Sequence, residues 1–206
     1  LANMDVYEKN LNKSIFKKHK NKRIIFDLNL SGKFIRYLIN KYYRNNYICV
    51  CGTSAHKVHK IKSLLKKIDT LILNKKESLI LTKTKSIYES LNFLINKNNN
   101  LKIIITDGKN SVYAYEKNSI YLCKPPEVKV KNENTAGDAL SAVFNFYYCI
   151  TNKMNESLKK GVIAGALQAS NYSENKIKYL KKIDTLYKNI NIKVRDYDWS
   201  ILFWNY

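Results

Sequence analysis

Four short apolar runs, spaced along the first half of the chain, constrain its fold more than any other feature. They are Arg23-Ile-Ile-Phe-Asp27, Tyr47-Ile-Cys-Val-Cys51, Thr70-Leu-Ile-Leu73 and Lys102-Ile-Ile-Ile-Thr106. A strand with one face in water alternates apolar and polar residues, whereas a continuous apolar run fits a strand buried on both faces. Between these runs, stretches near 32–44, 57–67 and 75–97 mix Leu and Ile with Lys, as helices do. Strand–helix–strand alternation implies a parallel sheet covered by helices and joined by right-handed crossovers.

After Thr106 the pattern changes. Ser111–Glu116 and Ser119–Cys123, separated by Lys117-Asn118, predict a hairpin with a two-residue turn. Pro125-Pro126 ends the second run, and a loop leads to Asn134-Thr135-Ala136-Gly137-Asp138. Small and apolar spacing then predicts a helix to about Cys149 and another over about 155–171, where Gly161, Ala164, Gly165 and Ala169 permit close packing. The Lys- and Tyr-rich segment from 174 onward, ending Trp-Ser-Ile-Leu-Phe-Trp-Asn-Tyr, shows no assignable pattern. Residues 1–173 therefore read as one domain and 174–206 as a tail of unassigned order. With 206 residues, 45% of them hydrophobic, the chain can bury one sizeable core.

The formal net charge of +21 would favour polyanions. The lysines, however, are scattered through every segment, and Lys, Asn, Ile and Tyr share A/T-rich codons, so genome composition explains the excess without a binding surface. No specific nucleic-acid partner is expected. No run of 18 apolar residues occurs, so neither a membrane-spanning helix nor a membrane partner is expected. The chain opens without a basic, apolar leader, which predicts a cytoplasmic location. Cys49 and Cys51 share one face of a strand, but no second pair completes a zinc site, and His56-x-x-His59 lacks further ligands. Buried free thiols are the expectation.

The segment that carries chemistry is Thr135-Ala136-Gly137-Asp138-Ala139-Leu140. Small residues before an acid at a helix start let backbone N–H groups approach an anion, while the helix dipole adds positive potential. A carboxylate there could accept a proton from a hydroxyl placed beside a phosphate. The purely structural alternative is an ordinary capped helix with Asp in its first turn.

This segment resembles the Gly-Ala-Gly-Asp motif of the ribokinase (PfkB) family, with Thr135 where the first glycine usually stands. Asn74-Lys-Lys-Glu77 is similar to the family's Asn-x-x-Glu motif, and Thr106-Asp-Gly108 to its Thr-x-Gly loop, all in family order. Asn3-Met4-Asp5, Phe26-Asp27-Leu28-Asn29-Leu30 and Thr53-Ser54-Ala55-His56-Lys57 resemble segments of the pseudouridine kinase branch. The resemblance covers about residues 1–172.

It implies a ribokinase-like three-layer α/β/α sandwich with a mainly parallel sheet, lacking the N-terminal strands and lid. The implied activity is an ATP-dependent kinase acting on the 5′-hydroxyl of pseudouridine or a related nucleoside or sugar. Asp138 would be the catalytic base. Thr106, Gly108, Thr135, Ala136 and Gly137 would contact ATP, Asn74 and Glu77 would hold Mg²⁺, and the small-residue face Gly161–Ala166 would border the adenine. The partners implied are ATP and a nucleoside or sugar; a homodimer and an associated pseudouridine-5′-phosphate glycosidase module stay open. The alternatives are a different substrate, such as ribose or adenosine, and a catalytically inactive binding protein. Two site residues have structural alternatives. Asn74 equally fits a helix cap with Glu77 closing a capping box at N3, and Gly108 a simple turn. Thr135, Ser111, Cys51 and Ile72-Leu73 depart from the family's usual residues, and Thr135 brings a β-carbon where close approach to phosphate is wanted.

Overall fold

The computed structural model describes residues 19–172 and 175–197. Among these residues seven strands form a sheet whose neighbours follow chain order. The chain divides into two compact units, Leu1–Ile103 and Ile104–Tyr206.

In the first unit β1 (Arg23–Phe26), β2 (Tyr47–Cys51) and β3 (Thr70–Asn74) pair in parallel, with Arg23 opposite Tyr47 and Cys49 opposite Thr70. The apolar runs become these strands because each buries its middle: Ile48, Cys49, Val50, Leu71, Ile72 and Leu73 are all buried. β1 departs from the expected two-sided burial. It is the end strand of the sheet and leaves Ile25 half-exposed. Helix α1 (Gly32–Tyr42) starts at Ser31, whose side chain accepts the Phe34 N–H, and buries Phe34, Ile35, Leu38, Ile39 and Tyr42.

The stretch read as an α-helix near 57–67 is instead a 3₁₀ helix, Val58–Lys67. Its buried Val58, Ile61 and Leu64 recur every third residue, which suits a helix of three residues per turn. The single helix expected over 75–97 is two, α2 (Lys75–Thr82) and α3 (Ile87–Lys97). Lys83 ends α2 in the left-handed region at φ 61°, and Ser86 restarts the chain by accepting the Glu89 N–H. Hydroxyls of Thr82, Thr84 and Ser90 hydrogen-bond one another across the break.

β4 (Lys102–Thr106) leads into the second unit. There β5 (Val112–Glu116) and β6 (Ser119–Cys123) form the expected hairpin, Glu116 opposite Ser119. Lys117 and Asn118 both have positive φ, 46° and 62°, the signature of the turn whose twist matches a hairpin. Helices α4 (Ala136–Thr151) and α5 (Met154–Ala169) pack against each other through the small residues of α5. A β-carbon at Gly161 would come within 3.0 Å of the Leu140 carbonyl oxygen, and one at Gly165 within 3.1 Å of that of Ala136. Buried Glu116 accepts a hydrogen bond from the Tyr148 hydroxyl, and Tyr148 stacks on Phe144 with ring centres 5.4 Å apart.

The segment without an assignable pattern supplies α6 (Lys176–Tyr187) and β7 (Ile192–Asp196). β7 pairs antiparallel with β6, and α6 is tied to α5 by the Tyr179 hydroxyl donating to the Ala164 carbonyl and by Lys160–Asp184 at 3.2 Å. The sheet is thus parallel through β1–β3 and antiparallel through β5–β7. Among the described residues no helix is long and apolar enough to cross a membrane. All four cysteines are free. Cys49 and Cys123 are buried as expected, but Cys51 is only partly buried and Cys149 is exposed on α4.

Candidate functional site

The sequence-derived site residues fall into two groups, one in each unit. In the first unit Asn74 closes β3 and caps α2. Its side-chain oxygen accepts the Glu77 N–H at 2.9 Å, and Glu77 Oε2 accepts the Asn74 N–H at 2.8 Å. This is a complete capping box, so the structural alternative for the pair is realised. Glu77 nevertheless has an unusual environment for a helix-start acid, being only 3% exposed. Burial pushes its carboxyl above the usual carboxylate range, with the Asn74 amide pulling the other way. No cationic side chain among the described residues lies against it.

A buried carboxylate beside an amide oxygen offers oxygen donors of the kind a divalent cation takes. The set is too small for a dedicated cage, and among the described residues no cluster of three or more His, Cys, Asp and Glu exists. Mg²⁺ suits such a site because it keeps most of its waters and needs few protein oxygens. The residues present fit a hydrated Mg²⁺.

The second group begins where β4 ends. Thr106 is half-buried, and Asp107–Asn110 forms a turn in which the Asn110 N–H donates to the Asp107 carbonyl at 2.9 Å. Gly108 occupies that turn at φ 56°, exposed and with nothing within 4 Å of where a β-carbon would stand. The turn reading of Gly108 is therefore realised, and its backbone also lies open to solvent. No side-chain hydrogen bond joins Thr106 to the 135–138 segment among the described residues.

At the start of α4, Thr135 has φ 63° and ψ 0°. A left-handed conformation is rare for a β-branched residue and costs about 1–2 kcal/mol. Hydrogen bonds tie this segment to the neighbouring helix. The amides of Lys131 and Asn132 both donate to the Ala169 carbonyl, and the Thr135 hydroxyl accepts from Gln168 Nε2 at 3.0 Å and donates to the Asn134 carbonyl. Thr135 provides no side-chain cap for the helix. The first-turn amides of Gly137 and Asp138 consequently have no side-chain acceptor among the described residues. Gly137 and Asp138 are exposed, Ala136 half-buried, and no atom lies within 4 Å of a β-carbon position at Gly137. Open first-turn amides with an exposed carboxylate among them can bind an anion and hold a base beside it.

Two contributors escaped sequence reading. Gln168 steadies Thr135 from the neighbouring helix. Gly52, directly after β2, faces the Glu77 carboxylate. The Gly161–Ala166 face assigned to the adenine is buried, and its glycines pack on α4.

The β-carbon of Thr135 carries the cost of its left-handed conformation. Thr135→Gly and Thr135→Ala both lose the hydroxyl, but only the first removes that carbon. The glycine variant should be the more stable by about 1 kcal/mol, or about 2–4 °C in thermal unfolding, measured by circular dichroism.

Residues 31–178 match the family model described as pfkB family carbohydrate kinase. No curated protein sequence matches the chain significantly. Among solved structures, the fold is similar to a candidate sugar kinase from Clostridium perfringens, with TM-score 0.75 and 18% identity, over 96% of this chain and 62% of that one. A carbohydrate kinase from Agrobacterium tumefaciens is similar at TM-score 0.71 and 21% identity, over 95% of this chain and 66% of that one. A ribokinase from Thermotoga maritima gives TM-score 0.69 and 15% identity, over 82% of this chain and 57% of that one. The chain thus spans less than two thirds of the length of the structures it resembles.

Proposed function

Because this chain belongs to the pfkB family of carbohydrate kinases, we propose that it is the nucleotide-binding part of an ATP-dependent kinase. Its acceptor would be the 5′-hydroxyl of pseudouridine or a related nucleoside or sugar. The observation that carries this reading is the start of α4, where open amides and an exposed Asp138 stand together behind a strained Thr135.

Asp138 would accept the proton of the attacking hydroxyl. The amides of Gly137 and Asp138, joined by that of Ala136 once it leaves the Glu133 carbonyl to which it donates at 3.4 Å, would hold the anionic group being transferred, and Thr106 and Gly108 would contact the nucleotide. Fixed dipoles aimed at developing charge supply much of the catalysis in phosphoryl transfer, the rest coming from positioning. Asn74 and Glu77 would hold Mg²⁺, which when bound offsets the charge of the phosphates. The pseudouridine assignment is supported by the Asn3-Met4-Asp5 and Thr53–Lys57 segments quoted above. Association with a pseudouridine-5′-phosphate glycosidase module belongs to the same reading, as does a cytoplasmic location, where ATP is supplied.

The test is transfer of labelled γ-phosphate from Mg²⁺-ATP to pseudouridine, adenosine, ribose and fructose in parallel. Product with pseudouridine well above the others is expected. Product with a different acceptor corrects the substrate, and ATP binding without transfer to any acceptor would identify an inactive relative.

A further inference from the structure

Gly52 lies at a point where the chain leaves β2, and its amide donates to the Ile72 carbonyl of β3 at 2.8 Å. Its backbone is therefore fixed against the strand that ends at Asn74. A β-carbon built at Gly52 would stand 2.1 Å from Glu77 Oε2, 2.7 Å from Glu77 Cδ and 3.0 Å from Leu73 Cδ2. The first two distances are far inside van der Waals contact. Oε2 is also the oxygen that accepts the Asn74 N–H. The missing side chain of Gly52 is thus the slot into which the Glu77 carboxylate fits.

The glycine is not there for backbone freedom. Gly108 is the glycine with positive φ among the described residues, and Gly52 has an ordinary conformation that an L-residue adopts. Any effect of a side chain at 52 is then steric and acts on Glu77. The carboxylate has little room to retreat, because Glu77 is 3% exposed and Leu73 closes the slot beside it. Displacing it would break the Oε2 contact with the Asn74 amide and turn the carboxylate away from its present direction.

We propose that Gly52 is a positioning residue, whose lack of a side chain sets where the Glu77 carboxylate meets the magnesium of the bound nucleotide. This rests on the reading of Glu77 as a magnesium-holding residue. Gly52 touches no substrate and acts only through Glu77. Groups next to a metal-holding residue commonly change metal affinity by about 10–100-fold when altered.

The experiment is calorimetric titration of the full chain with ATP, once in Mg²⁺ and once in EDTA. It compares the wild type, Gly52→Ala, Glu77→Gln and the double variant. The readout is the factor by which magnesium strengthens ATP binding, which a general loss of stability does not move. Glu77→Gln should shrink that factor about ten-fold, Gly52→Ala by a similar amount, and the two together little further. If Glu77→Gln shrinks the factor and Gly52→Ala leaves it at the wild-type value, Gly52 has no positioning role while the magnesium reading stands. If Glu77→Gln itself leaves the factor unchanged, the magnesium reading falls and takes the role of Gly52 with it. Thermal unfolding without metal guards against a variant that folds poorly. Gly52→Ala should destabilise the chain, and Glu77→Ala in the same chain should recover part of that loss. Equal destabilisation by Gly52→Ala with and without the Glu77 side chain would overturn the steric coupling.

Discussion

Replacing Asp138 by asparagine should lower phosphate transfer by about 10²–10⁴-fold, the range a positioned acid–base group supplies. Stability should fall by less than about 1 kcal/mol. Asp138 is exposed, so its one structural contribution is the attraction of a first-turn carboxylate to the helix dipole, worth about 0.3–1 kcal/mol. The asparagine keeps the shape and loses only the ability to take a proton. Steady-state kinetics and thermal melting on the same preparation separate the two effects. Turnover within about three-fold of wild type would remove Asp138 from the role of base, given that even weak acid–base catalysis exceeds this.

The second large effect concerns the packing that holds the start of α4 in place. Gly161→Val should cost about 3 kcal/mol, at the upper end for an overpacked core. The reason is geometric. A β-carbon at 161 already meets the Leu140 carbonyl oxygen at 3.0 Å and Phe144 Cβ at 3.1 Å. One of these is backbone and the other begins a fully buried ring, so neither can give way, and valine adds two further carbons. Gly161→Ala should be close to neutral, because the gain in helix propensity, about 1 kcal/mol, offsets the tight contact. Denaturant unfolding followed by circular dichroism measures both. A valine variant as stable as the alanine variant would mean that α4 and α5 can separate freely, contrary to their packing here. Gly165 makes the same contact one turn on, against the Ala136 carbonyl. The stripe of small residues on α5 therefore locates the first turn of α4 as well as filling the core.

That link between packing and site was only partly legible in the sequence. The strands were readable because β2, β3 and β4 place aliphatic residues on both faces, and little else does. The hairpin was readable because Lys117-Asn118 is the right length of turn between two such runs. The helix break at 83–86 was not, since Lys83, Thr84 and Lys85 fit the exposed face of a longer helix equally well; the signal lay in Ser86-x-x-Glu89, a capping pattern. The 3₁₀ winding of Val58–Lys67 was also hidden, because apolar residues at every third position fit either helix over so short a stretch. β7 carries little sequence signal because Ile192 and Val194 alternate with charged residues on an end strand, where burial leaves little imprint.

At the site, Asn74-x-x-Glu77 and Thr135–Asp138 were visible as local patterns. Gly52 was not, because its importance comes from what stands opposite it in space, the carboxylate of a residue 25 positions later. A glycine after a strand reads as a turn unless that opposite group is known.

If the amides opening α4 receive the phosphates of a nucleotide, Mg²⁺-ATP should perturb them more than any others. The most direct test is to record the backbone amide resonances of isotope-labelled protein while adding Mg²⁺-ATP. The resonances of Gly137 and Asp138 should move with the largest shifts and along a single saturating curve. Saturation by ATP with these two amides unmoved, or no binding at millimolar ATP, would contradict that role.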